Sequence, residues 1–433
     1  MYTVNTVTNF RRTRKFWFIA SYIVFCICLL VLPGSFINIT LSVQLGSWRL
    51  SIVDGFFLFL ILKIFTFKVE DRYTYQAVNK ILVIGYFLLL YGLVISFFRG
   101  INTYDLGIEL RYFLGFFAGL GFTKIIYSIK QKERLLLLSF LCIALLVFSL
   151  FLHILRATEI LTDHMITYKS MERVTDIQAF SLYALALLLM NNVVNLKYYN
   201  KRVNYMIPII IFMQMIFYLL SGIRSFLIVT LVFWVAVVFS VRKNNNLIVQ
   251  MFIISIPILI LFYSLDYFRQ NDMFLFFNTS FTRLEYFLLE QSRDLMSTNR
   301  MVELTETLRE LSPVDFLFGR GIGGLVNDYL GWTIRGVHRG IHIAIVNWII
   351  KFGLIGVLIV VILIIITIRG IFLKLKDWDM KNISVRLSSI MILTWLSLQL
   401  LSGGWDRWIF FILAINIVEI TRYFSMRKNH VRI

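Results

Sequence analysis

The chain has 433 residues, of which 59% are hydrophobic, 16% aromatic and only 15% charged. A water-soluble domain could not bury that much apolar surface, so the composition excludes a soluble protein and predicts a polytopic membrane protein. The three cysteines, Cys26, Cys28 and Cys142, fall inside apolar runs, where they are typical of small buried hydrophobic residues and not of a disulfide framework or a metal site.

Apolar runs of the length needed to cross a bilayer, about 20 residues each, recur along the whole chain. The first follows a basic start (Arg11, Lys15) and has no small-residue cleavage site after it, which predicts an uncleaved span. The predicted fold class is all-α, a single transmembrane domain over 1–433 with about twelve helices. The spans are predicted near 16–33, 51–66, 81–98, 112–127, 135–155, 174–195, 205–220, 226–241, 247–265, 344–368, 387–402 and 407–421.

The net charge of +19 is distributed unevenly between the two sides of this arrangement. With both termini on one side, only Lys63, Lys169 and Lys351 fall away from that side. Lysine enrichment marks the cytoplasmic face, so both termini are predicted to be cytoplasmic and the loop 266–343, between spans nine and ten, to lie outside the cytoplasm. Because the basic residues sit in short loops beside spans, no nucleic-acid partner is expected.

The large loop 266–343 holds eight arginines, ten acidic residues and no lysine, so an anion bound there must be held by particular arginines. Residues Asn299 to Leu311 have apolar side chains near helical spacing and predict an amphipathic helix that Pro313 ends. The glycine-rich turn that follows, residues 319–324, is of the kind that lets the backbone approach a phosphate or a sugar closely. No βαβ unit surrounds it, so it is not a dinucleotide-binding motif.

Two of the five histidines, His338 and His342, stand four residues apart near the end of this loop. On a helix they would share one face, as zinc ligands do. The metalloprotease signature needs a glutamate directly after the first histidine, and Arg339 occupies that place, where its charge would oppose metal binding. No metal is therefore expected, and the alternative is that both histidines only cap the membrane interface.

Three arginines are candidates for binding a phosphate group. Arg224 lies between spans seven and eight, where it either snorkels to the interface or makes a bidentate phosphate contact. Arg300, like Arg309, has glutamates on the same predicted helix face. Arg339 has no acidic residue near it in sequence.

Two further charged positions leave alternatives open. Lys351, inside predicted span ten, is either structural or faces a polar cavity. Asp406 and Arg407, in the last outer turn, are adjacent and are expected to neutralise each other.

Three stretches together resemble the O-antigen polymerase and O-antigen ligase superfamily of bacterial inner membranes. Ser221–Ser225 is similar to the family's Ser-Arg at the start of a span. Asn299-Arg300, followed by a helix and by Phe318–Gly323, is similar to the family's arginine, helix and Gly-x-Gly series. His342, with Gly353–Gly356 eleven residues further on, is similar to the family's histidine and Gly-Leu-Ile-Gly. The resemblance covers about residues 215–365.

This resemblance implies a glycosyltransferase that moves sugar chains from a polyprenyl diphosphate to a sugar hydroxyl, without a cofactor. His342 would be the base or orienting group for the acceptor. The diphosphate would be held by Arg224, Arg300 and Arg339, supported by His338, Arg320, Gly321 and Gly323. The implied partners are a polyprenyl-diphosphate-linked oligosaccharide, membrane lipid and a chain-length regulator protein.

The polymerase is favoured over the ligase, which would transfer the glycan to lipid A core, because Ile343 stands where the family has an asparagine after the histidine and because the chain is rich in Phe and Ile and poor in Pro. Another departure is Lys351, where the family often has an acid. A lipid-linked oligosaccharide flippase is the alternative of another class, but transporters usually show paired repeats and charged residues at the membrane midplane.

Overall fold

The computed structural model describes residues 42–45, 48–67, 69, 71–128, 293–329, 336–338, 340–341, 343–372, 380–401 and 407–430. These residues are predominantly helical. Two short antiparallel hairpins accompany the helices, β1 (Ser42–Leu45) with β2 (Trp48–Ser51) and β3 (Val326–Asn327) with β4 (Val337–His338). The helices are α1 (Ile52–Thr66), α2 (Arg72–Phe98), α3 (Thr103–Tyr127), α4 (Arg293–Glu310), α5 (Pro313–Phe318), α6 (Ala344–Ile371), α7 (Met380–Leu401) and α8 (Arg407–His430).

Six of the predicted spans fall on described helices, α1, α2, α3, α6, α7 and α8, and the remaining six lie outside the described residues. Helices α2 and α3 begin nine residues earlier than their predicted spans, at the polar residues Arg72 and Thr103. Among the described residues, three stretches are long and apolar enough to cross a membrane, Arg72–Phe98, Ala344–Ile371 and Ile409–Arg427. The prediction of a helical, multi-pass membrane protein is thus confirmed at this level. The purely helical class was incomplete, because the sequence pattern did not reveal the two hairpins.

Glycines on α3 let two neighbouring helices approach it closely. A Cβ atom at Gly115 would lie 2.0 Å from the carbonyl oxygen of Arg407, and one at Gly119 would lie 2.4 Å from that of Phe411, both on α8. On another side of α3, a Cβ atom at Gly121 would lie 1.9 Å from the carbonyl oxygen of Leu60 on α1. Small residues at such spacings are the usual means of packing helices in a membrane, where burial of apolar surface gives no advantage over contact with lipid. Helix α3 is therefore the centre around which α1 and α8 assemble.

Ion pairs fix which ends of the helices lie together. The Arg407 guanidinium on α8 lies 2.9 Å from the Asp54 carboxylate on α1, and Arg111 on α3 lies 3.7 Å from the same carboxylate. We call this the Asp54 end. Arg422, near the end of α8, donates to Asp71, the N-cap of α2, at 2.7 Å, which defines the opposite or Asp71 end. The Arg407 guanidinium binds the buried Asp54, which lies 353 residues earlier in the chain. Asp406 lies outside the described residues, so its expected neutralisation of Arg407 stays a prediction.

The loop before α6 contains two helices, of which only one was predicted. Helix α4 begins at Arg293, earlier than expected, and ends at Glu310. Pro313 does not only end this helix. It is an early residue of α5, whose N-cap Ser312 forms a reciprocal capping box with Asp315. The predicted apolar face is confirmed only in part: Leu304 and Leu311 pack against a buried apolar cluster, but Met301 and Leu308 are exposed and Glu303 and Thr307 are buried.

Helix α6 is broken at Gly353, whose φ of 56° and ψ of −137° are not helical. A Cβ atom at Gly353 would lie 2.4 Å from the carbonyl oxygen of Leu317, and one at Gly356 would lie 2.0 Å from that of Trp348 on the preceding turns of the same helix. The two glycines of the Gly-Leu-Ile-Gly motif therefore have different structural roles. The first permits the backbone conformation of the break, and the second permits the two parts of the helix to approach each other.

We predict that Gly353→Ala lowers the free energy of unfolding by about 3 kcal/mol or more, because it combines a left-handed backbone with a backbone clash. Gly100→Ala is the matched control for backbone strain, since Gly100 has a φ of 62° but no atom within 4 Å of an added Cβ, and should cost about 1 kcal/mol. Gly55→Ala, within α1 and also in open space, should be neutral or slightly stabilising. Unfolding in detergent micelles measures all three. Equal losses at Gly353 and Gly100 would show that the clash with Leu317 contributes nothing.

Candidate functional site

The glycine-rich turn, residues 319–324, packs against the break in α6, and every backbone amide in it has an acceptor. Gly319 donates to the carbonyl of Asp315 at 2.7 Å, and Gly324 donates to that of Gly321 at 3.2 Å. The other four amides reach different helices. Arg320 and Gly321 donate to the carbonyls of Ile350 and Lys351 on α6, Ile322 to that of Gly92 on α2, and Gly323 to the carboxylate of Glu109 on α3. The turn therefore joins three helices through its backbone.

Each of the three glycines at alternate positions of the turn has a positive φ between 82° and 84°, which other residues rarely adopt. Space is restricted as well. A Cβ atom would lie 2.4 Å from the Lys351 carbonyl oxygen at Gly319, 2.5 Å from the Ser96 hydroxyl at Gly321 and 2.7 Å from the Leu106 amide at Gly323. The Gly-x-Gly-x-Gly spacing is thus explained by close packing between helices.

A buried ion pair lies directly beside the turn. The Lys351 ammonium is 2.6 Å from the Glu109 carboxylate, and the two side chains are 1% and 3% exposed. Lys351 also donates to the carbonyl of Gly324 at 2.5 Å, while the second carboxylate oxygen of Glu109 accepts from the Gly323 amide at 2.5 Å. Of the two expectations for Lys351, the structure supports the structural one: the charge is paired and holds the turn.

A second polar residue on the same face of α6, Asn347, holds the segment that precedes His342. Its side-chain oxygen accepts from the Ile341 amide at 2.9 Å, and its amide group donates to the Ile341 carbonyl at 3.3 Å. Asn347 is 5% exposed, and a Cβ atom at Gly340 would lie 2.6 Å from its side-chain oxygen. Since Asn347 and Lys351 are one helical turn apart, one short stretch of α6 holds both the glycine-rich turn and the backbone on the N-terminal side of His342.

Arg320 occupies the centre of an internal network. Its guanidinium pairs with Glu310 at the end of α4 and lies 3.3 Å from Asp315 on α5. It also donates to the carbonyls of Leu325 at 2.8 Å and Glu310 at 3.1 Å. Burial alone would raise the pKa of Glu310, but its hydrogen bonds with Arg320, the Asn327 amide and Tyr329 outweigh burial, and the net pKa lies below its ordinary value. Glu310 is therefore held ionised around neutral pH, and its charge binds Arg320.

The structure places the backbone of five of the eight sequence-predicted site residues. Arg320, Gly321 and Gly323 lie together in the turn, where their polar groups bind neighbouring parts of the protein. Arg300 lies on α4, and its side chain is outside the described residues.

Most residues of the predicted histidine site lie outside the described part of the chain. His338 belongs to β4, paired with Val326, with only its backbone described. His338 lies on a strand and α6 begins only at Ala344, so the case in which one helix carries His338 and His342 on a common face does not apply. Arg224, Arg339 and His342 lie outside the described residues, so their roles stay predictions. The predicted pairing of Arg309 with a glutamate is confirmed, with Glu306 at 2.7 Å.

Sequence reasoning missed Glu109, Asn347 and Asp54. Each is a polar residue within or beside a predicted apolar span, which is itself a signal, because polar groups at such positions are costly unless a partner compensates them. Within the described residues, no group of three or more His, Cys, Asp or Glu side chains could hold a metal ion.

Comparison of the chain with known protein families, with curated proteins and with solved structures gave no match.

We predict that removing one partner of the buried pair, by Glu109→Gln or Lys351→Met, destabilises the protein by about 3–5 kcal/mol, because a buried charge is left uncompensated. The double variant Glu109→Gln/Lys351→Met should lose less than the sum of the single losses. Unfolding in detergent micelles gives this double-mutant cycle.

The control is the exposed pair of Arg309 and Glu306, whose side chains are 72% and 35% exposed. The single variants Arg309→Met and Glu306→Gln should each cost about 1 kcal/mol or less. Additive losses for Glu109 and Lys351, or losses as small as those of the control pair, would contradict a coupled buried interaction.

Proposed function

We propose that the chain is a polyprenyl-diphosphate-dependent glycosyltransferase of the O-antigen polymerase and ligase type, and more specifically a polymerase that joins lipid-linked oligosaccharide repeats. In this proposal about twelve helices cross the bacterial inner membrane, both termini are cytoplasmic, and the loop 266–343 carries the site on the opposite side. The donor is a polyprenyl-diphosphate-linked oligosaccharide, and the acceptor is a sugar hydroxyl of a second such molecule. A chain-length regulator protein is the proposed protein partner.

One observation supports the proposal beyond the sequence resemblance. Two of the three stretches that carry the resemblance meet at the break in α6, where Phe318–Gly323 packs against Gly353. The backbone preceding His342, which belongs to the same stretch as Gly353–Gly356, is held by Asn347 on the first turns of that helix. Motifs that are separated in sequence but converge on one helix are expected when they serve one site. Catalysis needs reacting groups held within a fraction of an ångström, and a broken helix hydrogen-bonded to a packed turn is a suitable support for such groups.

The chemistry follows from the donor. A diphosphate is a good leaving group, and arginines that bind it more tightly as charge develops would lower the barrier without a metal or a nucleotide. In the proposal Arg224, Arg300 and Arg339 have this role, with bidentate guanidinium contacts. His342, in its neutral form, accepts the proton of the attacking hydroxyl. The transfer forms a new glycosidic bond and releases the polyprenyl diphosphate.

A second candidate, a transporter or flippase for the same lipid-linked oligosaccharide, is favoured by one specific observation. Broken helices beside buried charged residues are typical of secondary transporters, and α6 is broken two residues after the buried Lys351. The two candidates differ in whether a covalent product is formed.

We predict that His342→Ala lowers the rate of glycan transfer by roughly 10²–10⁴-fold, the usual range for loss of a general base. Arg224→Lys and Arg339→Lys should also lose most activity, because an ammonium group cannot make the bidentate contact. Arg309→Lys is the control and should retain activity, since Arg309 is 72% exposed and pairs only with Glu306 in the described part of the chain. The measurement is elongation of a purified polyprenyl-diphosphate-linked repeat by reconstituted protein.

Two results would contradict this assignment. Near-normal turnover in His342→Ala would remove the histidine from the reaction. If the unmodified protein moves labelled donor across the vesicle membrane but does not elongate the glycan, the transporter is the correct candidate.

Topology gives a further prediction. A reporter fused near Asn327 should be found outside the cytoplasm, and one fused near Lys376 inside it, because of the lysine asymmetry. Alkaline phosphatase and green fluorescent protein fusions measure the two sides in opposite ways. A cytoplasmic position for Asn327 would exclude the proposed function, because the donor glycan would be on the other side of the membrane.

A further inference from the structure

The short helix α5 leaves about half of the surface of each of its apolar side chains after Pro313 exposed. Of its six residues, Val314, Phe316, Leu317 and Phe318 are each between 46% and 54% exposed, while Asp315 is buried. A helix in aqueous solution usually has the opposite arrangement, with polar residues outward. The contacts of α5 leave about half of each of these four side chains uncovered, which raises the question of what contacts the exposed half.

The position of α5 along α2 indicates its depth. At the N-terminal part of α5, Asp315 is bound by Arg99, directly after the end of α2, at 2.5 Å. At the C-terminal end, the carbonyl of Phe318 accepts from the hydroxyl of Tyr91 at 2.8 Å. Tyr91 lies seven residues before the last residue of α2, which corresponds to about 10 Å at 1.5 Å per residue. Because α2 is long and apolar enough to cross a membrane, the end of α5 lies well inside the span.

Helix α6 gives a consistent depth. A Cβ atom at Gly353 would touch the carbonyl of Leu317, so Gly353 lies at the level of the end of α5. From Gly353 to Arg369, the basic residue in the last turn of α6, the chain rises about 24 Å. Together with the depth of about 10 Å, the total is about 34 Å, slightly more than the thickness of about 30 Å of the hydrocarbon core.

The exposed side chains of α5 continue an apolar surface on its neighbours. On α2, a stripe at helical spacing is exposed, and Phe97 and Phe98 at its end are 84% and 79% exposed. On α6, Leu354 and Leu358 are exposed directly after the break. The stripe on α2 consists of Val83, Ile84, Phe87, Leu90, Val94, Phe97 and Phe98. An apolar surface continuous with the outer faces of two spans has one natural partner, the acyl chains of the bilayer.

The backbone of the segment also meets the requirement for lying in lipid. Non-helical backbone at membrane depth is tolerated only where it is buried in protein or lines a cavity, and where its polar groups are satisfied. Residues Gly319 and Gly321–Gly324 are buried, and each amide from Gly319 to Gly324 has an acceptor. The Ile322 carbonyl accepts from Ser96 at 2.7 Å, and that of Gly324 accepts from Lys351.

We infer that residues 313–324 form a re-entrant segment, which enters the bilayer at the Asp54 end, contacts acyl chains through α5 and returns through the glycine-rich turn. This inference rests on the membrane-spanning helices and is independent of the proposed glycosyl transfer. It divides the large loop into an aqueous part and a part within the membrane. The occupant of the exposed face of α5 is lipid.

The test is the accessibility of spin labels in protein reconstituted into phosphatidylcholine vesicles, with Cys26, Cys28 and Cys142 replaced by alanine. A label at Leu317→Cys should be reached by oxygen, which partitions into lipid, more than by a water-soluble nickel chelate. The ratio of the two accessibilities should match that of Val94→Cys on the exposed face of α2. It should exceed several-fold the ratio of Arg309→Cys, on an exposed position of α4.

Val314→Cys provides a second position at the other end of α5, and its label should lie closer to the surface than that of Leu317→Cys. Each variant is first compared with the cysteine-free protein by thermal unfolding. A Leu317→Cys label reached mainly by the nickel chelate would show that α5 lies in water. Low accessibility to both reagents would show that another part of the protein covers it. Either result overturns the inference.

Discussion

The break in α6 is the constraint on which the rest of this arrangement depends. A helix interrupted inside a membrane protein leaves backbone carbonyls without their usual partners, and in a low-dielectric surrounding each such group costs several kcal/mol. Here the carbonyls of Ile350 and Lys351, just before Gly353, accept from the amides of Arg320 and Gly321. The glycine-rich turn is thus part of the backbone hydrogen bonding of α6, and the two elements cannot form independently.

The buried charges follow from the same constraint. The turn, which has three residues with positive φ, can donate hydrogen bonds to α6 at low cost only if its remaining amides and carbonyls also have hydrogen-bond partners. Glu109 accepts from one end of the turn and Lys351 donates to it, and each neutralises the other. Burying two charges costs free energy. In a buried ion pair this cost is offset only when the two groups lie close together and additional hydrogen bonds bind their remaining polar atoms. Asn347, one turn earlier, extends the same support to Ile341.

This arrangement gives the glycine-rich turn a physical role that differs from the one its sequence indicated. The pattern was interpreted as a backbone cradle for a phosphate or sugar, because glycine permits close approach. The close approach is present, but the neighbours are Ser96, Leu106 and Lys351 of the protein itself. Sequence alone cannot distinguish these cases, because a glycine is equally suited to both and the partners come from distant parts of the chain.

Features of the fold that depend on neighbouring residues can be predicted from the sequence better than contacts between residues far apart in the chain. The apolar spans on α1, α6 and α7 were placed within a few residues of their observed ends, except for the early start of α7, because hydrophobic runs are read directly from composition. The residues of the α5 capping box, Ser312 and Asp315, stand on either side of Pro313 and are visible in the sequence. The sequence pattern predicts only that Pro313 ends α4, and does not predict the second helix that begins there. Asp54, which binds Arg407, lies 353 residues away in the chain, a separation that no local pattern reveals.

The link between Glu109 and Gly323 also has a consequence for how the protein is made. The two residues are 214 apart in the chain. At synthesis rates of 5–20 residues per second, Glu109 emerges from the ribosome roughly 10 to 40 s before its partners. During that interval its carboxyl group has neither the Lys351 charge nor the Gly323 amide. The Glu109 contacts that hold α3 against the glycine-rich turn and α6 can therefore form only after the second half of the protein has been made.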